Sequence, residues 1–470
     1  MPVNGQHEAL AAFRQAADDV PAYQAFLKEN GIDPSAVTEM DGFRSLPLTT
    51  KTNYFHKYPL PMLCHGGTLQ GCDFLCVSSG STGEPTGWPR RAGDEAMSVA
   101  RFDLIFREAF QADCKTTLAV VCFPMGLWVG GMYTASCVRQ LAAKGYPVTL
   151  VTPGNNAAEI LRAVRTFAPC FEQTVLLGYP PFIKGVVDTA SAQGIALSRF
   201  NLKMVFAGEV FTEEWRALVC RRAGIADPVR NTASLYGTAD GGVLAAETPL
   251  SIAIRRFLAQ RPELAREVFG ESRLPTLAQY DPRHRFFEVT EDGTLLFTCD
   301  SATPLIRYHI ADSGGLFPYA ELLDRMTAAG FVQSAVDGSG AQGLPFVYVF
   351  GRSHFAVSLY GANVYPENVS VGLEQDDIAP WVTGKFVMET PDDADGDRIL
   401  AIAVELAPEV AVSPEREALT AESIKTHLLR LNSEYANYLP PDRQVPQITL
   451  HPFGDPEYFP VGVKHRYTRG

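Results

Sequence analysis

The sequence contains no run of lysine and arginine, no CxxC pair, no GxxxxGK[ST] segment and no long apolar stretch free of breakers. Each absence removes a class of function. With 40 Lys and Arg against 53 Asp and Glu, the formal net charge is -13, and no basic patch is available to hold a polyanion. Nucleic-acid binding is not expected. The nine cysteines (64, 72, 76, 114, 122, 137, 170, 220 and 299) are odd in number and scattered, which fits reduced thiols in a cytoplasmic protein. The missing GxxxxGK[ST] argues against a nucleotriphosphatase P-loop. Residues 116–138 are uncharged and long enough to span a bilayer, but Pro124, Gly126, Gly130 and Gly131 interrupt them. Residues 1–10 lack a basic segment followed by an apolar one. Neither a membrane span nor a secretory signal is expected.

What is present points to a large α/β protein. A chain of 470 residues that is 46% hydrophobic can bury a sizeable core and should divide into more than one domain. Leu10, Phe13, Ala17 and Val20 recur at helical spacing, and Pro21 stops that helix because it lacks a backbone donor. From residue 74 onward, short β-rich runs (74–77, 118–122, 148–151, 174–177 and 203–206) alternate with amphipathic stretches, one carrying the stripe Val99, Phe102, Phe106 and Ala109. That alternation predicts crossover units, a largely parallel sheet covered by helices, and ligand loops at strand ends. The register changes at residues 285–298, where two β-rich runs flank Glu291-Asp292-Gly293 as in a hairpin. Gly351-Arg352 marks the expected boundary between a multi-subdomain N-terminal domain, 1–351, and a smaller α+β domain, 352–470.

The apolar run 74–77 opens directly onto Ser78-Ser79-Gly80-Ser81-Thr82-Gly83-Glu84-Pro85-Thr86. Small residues let backbone N–H groups approach an anion closely, although the same composition describes an ordinary surface turn. This segment resembles the phosphate-binding loop of adenylate-forming enzymes, in the branch containing phenylacetate-coenzyme A ligase. Upstream, Val20-Pro21-Ala22-Tyr23, Leu46-Pro47-Leu48-Thr49-Thr50-Lys51 and Tyr58-Pro59 are similar to that branch's N-terminal signature. Downstream, Gly126-Leu127-Trp128-Val129-Gly130-Gly131 resembles its acyl-pocket loop, and Ala207-Gly208-Glu209 and Leu235-Tyr236-Gly237-Thr238-Ala239-Asp240 resemble segments around the adenine, the metal and the acyl carboxylate. Leu305-Ile306-Arg307-Tyr308 followed by Asp312 resembles the ribose loop, Gly351-Arg352 the hinge, and Gly462-Val463-Lys464-His465-Arg466 the catalytic lysine motif, with Gly361-Ala362-Asn363-Val364-Tyr365-Pro366-Glu367 between them. The resemblance covers nearly the whole chain.

It implies that a carboxylic acid is activated by ATP to an acyl-adenylate with loss of pyrophosphate, and that the acyl group passes to coenzyme A. Lys464 would be catalytic, on a small domain that rotates about the hinge. Ser78, Ser79, Gly80, Ser81, Thr82, Gly83, Gly208, Glu209, Tyr236, Gly237, Thr238, Asp312 and Arg352 would hold ATP and AMP. Phe123, Trp128, Gly131 and Tyr236 would line the acyl pocket, where an aromatic or other apolar acid fits best, and Tyr133 and Tyr179 are further aromatics near it. Asp240 and Thr82 would face magnesium. Such an enzyme acts on small molecules, with a homodimer as a candidate assembly. The chain departs from its relatives at Glu84, where many carry Lys, at Asp240, where the family has Glu, and at Ser353-His354-Phe355 after the hinge arginine. These departures keep two alternatives open: transfer to an amine, amino acid or carrier-protein thiol, and a non-catalytic nucleotide-binding protein.

Overall fold

The computed structural model describes residues 4–78, 86–270, 274–332, 343–352, 356–460 and 467–469, apart from the side chains of residues 181, 352, 367 and 433. Two compact units emerge. Of the described residues, the first takes those up to Gly351 other than Thr86 and Tyr179–Gly185; the second takes these and the residues from Arg352 onward.

A short ladder of β1 (Phe74–Ser78) and β2 (Thr86–Arg90) precedes the sheet that organises the first unit. That sheet has 11 strands: β3 (Thr117–Val121), β4 (Val148–Val151), β5 (Gln173–Gly178), β6 (Leu202–Ala207), β7 (Thr232–Thr238), β8 (Gly242–Ala246), β9 (Thr276–Gln279), β10 (Phe286–Val289), β11 (Thr294–Cys299), β12 (Leu305–Phe317) and β13 (Phe346–Arg352). Their order is β10-β11-β12-β13-β9-β8-β7-β6-β5-β3-β4. Strands β3, β5 and β6 read as near-continuous apolar runs because helices cover such strands on both faces. The pairings β3/β4, β3/β5, β5/β6 and β6/β7 are parallel, as the alternating pattern predicts. From β7/β8 the pairing turns antiparallel, so the change of register begins some 45 residues before the hairpin that first signals it. That hairpin pairs Phe286 with Thr298, and Gly293 supplies the left-handed residue of its turn at φ 72°.

Two N-terminal helices close one end of this unit. Gln6–Asp19 buries Ala9, Ala12, Phe13, Ala16 and Ala17 along one stripe, and Pro21 then occupies the first turn of Pro21–Glu29, where its missing N–H costs nothing. Phe13, Tyr23, Phe26, Phe43 and Tyr54 share a core with Tyr236, Leu295, Phe297 and Tyr308. The N-terminal segment is thereby packed against the strands that carry the candidate site.

In the second unit, β14 (Val357–Leu359) and β15 (Ala362–Val364) form a tight hairpin, while β16 (Val382–Glu389), β17 (Ala401–Leu406) and β18 (Gln447–His451) form a three-stranded sheet. β17 and β18 run parallel, and the helix Pro414–Leu431 lies in their connection. Lys184, fully buried, pairs with Asp397 at 2.8 Å, and Arg443 joins Asp397 at 2.7 Å and Asp393 at 3.3 Å. Among the described residues no helix is long and apolar enough to cross a membrane.

Candidate functional site

The ends of β1, β7 and β12 meet the N-terminal segment around one carboxylate, that of Asp240. Thr50 accepts a hydrogen bond from the Asn53 backbone amide, fixing the start of the short helix Lys51–Phe55 and with it the position of Lys51. The Lys51 ammonium lies 3.3 Å from Asp240 Oδ1 and 3.4 Å from the Ser78 hydroxyl, at the end of β1. Trp88 of β2 donates its indole N–H to the same hydroxyl at 2.9 Å, and the Lys51 ammonium stands 5.7 Å from the Trp88 ring centre. The other Asp240 oxygen accepts from the Tyr308 hydroxyl at 2.6 Å. Arg90, buried, donates to the backbone carbonyls of Ala239 and Asp240, which pins the turn that presents the carboxylate.

A second pair lies on the same two strands. The Tyr236 hydroxyl of β7 donates to Asp312 Oδ2 of β12 at 2.7 Å, and both residues are buried. Gly237 allows β7 to approach its neighbour closely, because a Cβ there would meet the Gly242 carbonyl at 2.9 Å. Thr238 accepts from the Gly241 amide at 2.9 Å and shapes the turn toward Asp240. His309, beside the pair on β12, is held below the usual imidazole range by burial, so its neutral form is favoured. Gly208 follows β6 with φ 90°, and Glu209 after it is buried.

The loop expected to line an acyl pocket, residues 126–131, packs beside β1. The Val77 amide donates to the Leu127 carbonyl at 2.9 Å, and Val77 bridges Trp128. Gly131 fits where nothing larger can: a Cβ would come within 2.2 Å of the Pro124 carbonyl. Phe123 is buried and Trp128 is partly exposed. Tyr133 hydrogen-bonds Ser98 at 2.6 Å in the interior, and Tyr179 stacks on Tyr438 at 5.3 Å. These two aromatics have identified partners in the packing.

The structure thus gathers Ser78 and Asp240 into one cluster and Tyr236 and Asp312 into an adjoining one. Ser79, Gly80, Ser81, Thr82, Gly83, Glu84, Ser353, His354, Phe355 and Lys464 lie outside the described residues, as does the side chain of Arg352. Lys51, Trp88, Arg90 and Tyr308 are the additions. A signal for Lys51 is in the sequence: it closes the segment Leu46-Pro47-Leu48-Thr49-Thr50-Lys51, which the resemblance singles out as an N-terminal signature. Asp240, expected to face magnesium, is engaged here by an ammonium and a phenol. Among the described residues no group of three or more His, Cys, Asp or Glu is arranged to hold a metal, and Thr82, the other residue expected to face magnesium, lies outside them.

No protein-family model matches the chain, and no curated protein matches it. Solved structures do. 2-Hydroxyisobutyryl-CoA ligase, in complex with 2-HIB-AMP and CoA in its thioesterification state, superposes with a TM-score of 0.66 at 14% identity over 99% of this chain and 88% of that one. The same ligase in its postadenylation state with R3-HIB-AMP gives 0.55 at 14% identity, over 99% and 87%. Another of its structures, an open conformation with 2-HIB-AMP and CoA, gives 0.54 at 14% identity over 99% and 90%. At this identity the likeness is one of fold, and it extends across 99% of the chain. The protein has the fold of an acyl-CoA ligase whose structures hold an acyl-adenylate and coenzyme A.

Proposed function

We propose that the protein joins a carboxylic acid to the α-phosphate of ATP, releases pyrophosphate, and passes the acyl group from the adenylate to the thiol of coenzyme A. The observation that carries this reading is the Lys51, Ser78, Asp240 and Tyr308 cluster at the end of β1, in the fold of a ligase that binds an acyl-adenylate. In the first step a carboxylate oxygen attacks the α-phosphorus and the bond to pyrophosphate breaks. Two anions must meet, so a fixed cation is needed. Lys51 supplies one beside Ser78, and its ion pair with Asp240 keeps it aimed there before ATP arrives. Tyr236 donates to one oxygen of Asp312 and holds the carboxylate in place, and an ionised carboxylate can accept from the ribose hydroxyls. Magnesium would accompany the nucleotide's phosphates and neutralise part of their charge, with Asp240 and Thr82 as the residues that would face it. In the second step the coenzyme A thiolate attacks the acyl carbonyl and AMP leaves.

Phe123 and Trp128 favour an aromatic or other apolar acid. Lys464 would neutralise charge at the α-phosphate as the adenylate forms. Incubation with ATP and a panel of aryl, fatty and amino acids should release pyrophosphate with at least one of them; silence across the panel sinks adenylation. Lys464→Ala should lower that rate by roughly 100-fold or more while ATP affinity is largely kept. The sequence Ser353-His354-Phe355 after the hinge arginine supports a second reading, an amine or carrier-protein thiol as acceptor. An acyl-adenylate that persists with coenzyme A and is consumed by another nucleophile would establish it.

A further inference from the structure

Strand β12 carries both Tyr308, on the Asp240 carboxylate, and Asp312, on the Tyr236 hydroxyl, and it does not run as a regular strand. Its pairing with β11 slips twice. Phe297 faces Tyr308 and Cys299 faces Leu305, so Ile306 and Arg307 together oppose Thr298 alone. Leu296 faces His309 and Thr294 faces Ser313, so residues 310–312 oppose Leu295 alone. Each irregularity holds a residue other than glycine in the left-handed region, Arg307 at φ 45° and Ala311 at φ 61°, and each of these immediately precedes a site residue. A bulge re-aims the side chain beside it, and a left-handed residue with a Cβ persists only where its surroundings hold it there.

Arg307 is held through its amide, its side chain and its carbonyl. The amide donates to the Thr298 hydroxyl at 2.9 Å, across the bulge. The guanidinium donates through Nε to Glu288 of β10 at 3.2 Å and through Nη1 to the Leu46 carbonyl. The Arg307 and Glu288 side chains are 12% and 10% exposed, so this ion pair is shielded as a surface pair is not. The Arg307 carbonyl accepts from the Thr49 amide at 3.3 Å. Thr49 makes two more bonds to the same stretch: its buried hydroxyl donates to the Ile306 carbonyl at 2.8 Å, and its carbonyl accepts from the His309 amide at 2.9 Å. The Arg307 fork therefore ties the sheet to segment 46–51. Both chains lead from this tie to Asp240, since Tyr308 is the next residue of β12 and Lys51 lies two residues beyond Thr49.

We propose that Arg307 is the positioning residue of the Asp240 cluster: it locks the bulge of β12 onto segment 46–51 and so sets the Lys51 ammonium and the Tyr308 hydroxyl in place around that carboxylate. Its guanidinium is engaged by Glu288 and Leu46, and it acts through the two residues that it places. The inference deepens the adenylation reading and rests on it, because only there does the cluster receive ATP.

The test compares the full-length wild type, Arg307→Met, Lys51→Ala and the double variant, with pyrophosphate release measured on an acid that the wild type accepts. Arg307→Met keeps an apolar stem and removes the fork. In the wild-type background kcat should fall about tenfold with a smaller change in KM for ATP, because a misplaced cation loses most in the transition state. In Lys51→Ala the same substitution should cost less than about twofold, since the group it places is gone. Losses that multiply, or an unchanged kcat, overturn the proposal. A second readout needs no turnover: labelling of Lys51 by an amine-selective reagent, mapped by mass spectrometry, should quicken in Arg307→Met relative to the exposed Lys144, as the ion pair with Asp240 loosens. An unchanged Lys51 rate overturns the proposal whatever the kinetics show. Faster labelling in a protein that releases pyrophosphate with no acid keeps the positioning role and overturns adenylation instead. Should circular dichroism show Arg307→Met unfolded, Thr49→Val, which removes only the hydroxyl bond to Ile306, carries the same comparison with the same non-additivity expected.

Discussion

Two ion networks in the first unit contain similar groups and behave differently. In one, Arg216 and Arg255 are interleaved with Glu213 and Glu247 through contacts of 2.8 to 3.1 Å, and every side chain is at most 6% exposed. Further donors are spent on the Thr232 hydroxyl and the Phe211 carbonyl, and both guanidiniums lie against the Phe211 ring. Charge is balanced two against two and no face is left toward solvent. In the other, Asp240 is 4% exposed while Lys51, its partner, is 24% exposed with contacts of 3.3 and 3.4 Å. The first network uses its bonding capacity to hold β7 and β8 to the helices beside them. The second keeps a cation at the surface of a buried anion, an arrangement suited to receive a further negative group. Burial with matched charge makes a strut, and burial with one open side is suited to a site.

This contrast can be broken experimentally. The largest effect is expected at the strut: Glu247→Ala leaves two buried guanidiniums short of a partner and should cost about 3–5 kcal/mol in urea unfolding. An unaltered midpoint would show that the network is not structural. Lys51→Ala should do the reverse, lowering ATP-dependent pyrophosphate release about 100-fold while stability falls by about 1 kcal/mol. A stability loss matching that of Glu247→Ala would erase the distinction. Lys203 tests the rule from a third side, since its ammonium is buried and donates to the amide oxygen of Asn231. Burial lowers it to about 8, so between that value and the ordinary lysine range the unfolded chain binds more protons than the folded one. Stability of the wild type should therefore rise with pH relative to Lys203→Met across pH 8 to 10.5, by about 2 kcal/mol, in paired denaturation curves. The smallest change is expected at Tyr236→Phe, which frees Asp312 of one hydrogen bond and should raise the KM for ATP by about fivefold at nearly constant kcat. A fall in kcat instead would place the hydroxyl in the chemical step.

Much of the fold is legible locally. The apolar runs at 118–122 and 174–177 become buried parallel strands because periodicity and β-branched content suffice to mark a strand covered on both faces. Pro21 is legible as a break and its second role is not, because a proline that ends one helix can begin another only if the chain beyond it finds a core to pack on. The turn to antiparallel pairing at β7/β8 is equally silent, since strand direction depends on which neighbour the chain returns to rather than on its residues. At the candidate site, Ser78, Tyr236, Asp240 and Asp312 are legible through their motifs, whereas Tyr308 reads as one more apolar residue of β12 until its hydroxyl is seen on Asp240.

The sequence by itself determined the chemical inventory: the Ser/Gly loop after residue 77, the aspartates at 240 and 312, the terminal lysine and the replacement of a loop cation by Glu84. Motif order and residue chemistry carry that information without knowledge of distance. Only the tertiary structure decided what faces what. It brought Lys51 across 189 residues of sequence to Asp240, and it set the Tyr308 hydroxyl on the same carboxylate. Contacts of that kind depend on loop closure and packing against a common core, and the physical terms that fix them are long-range.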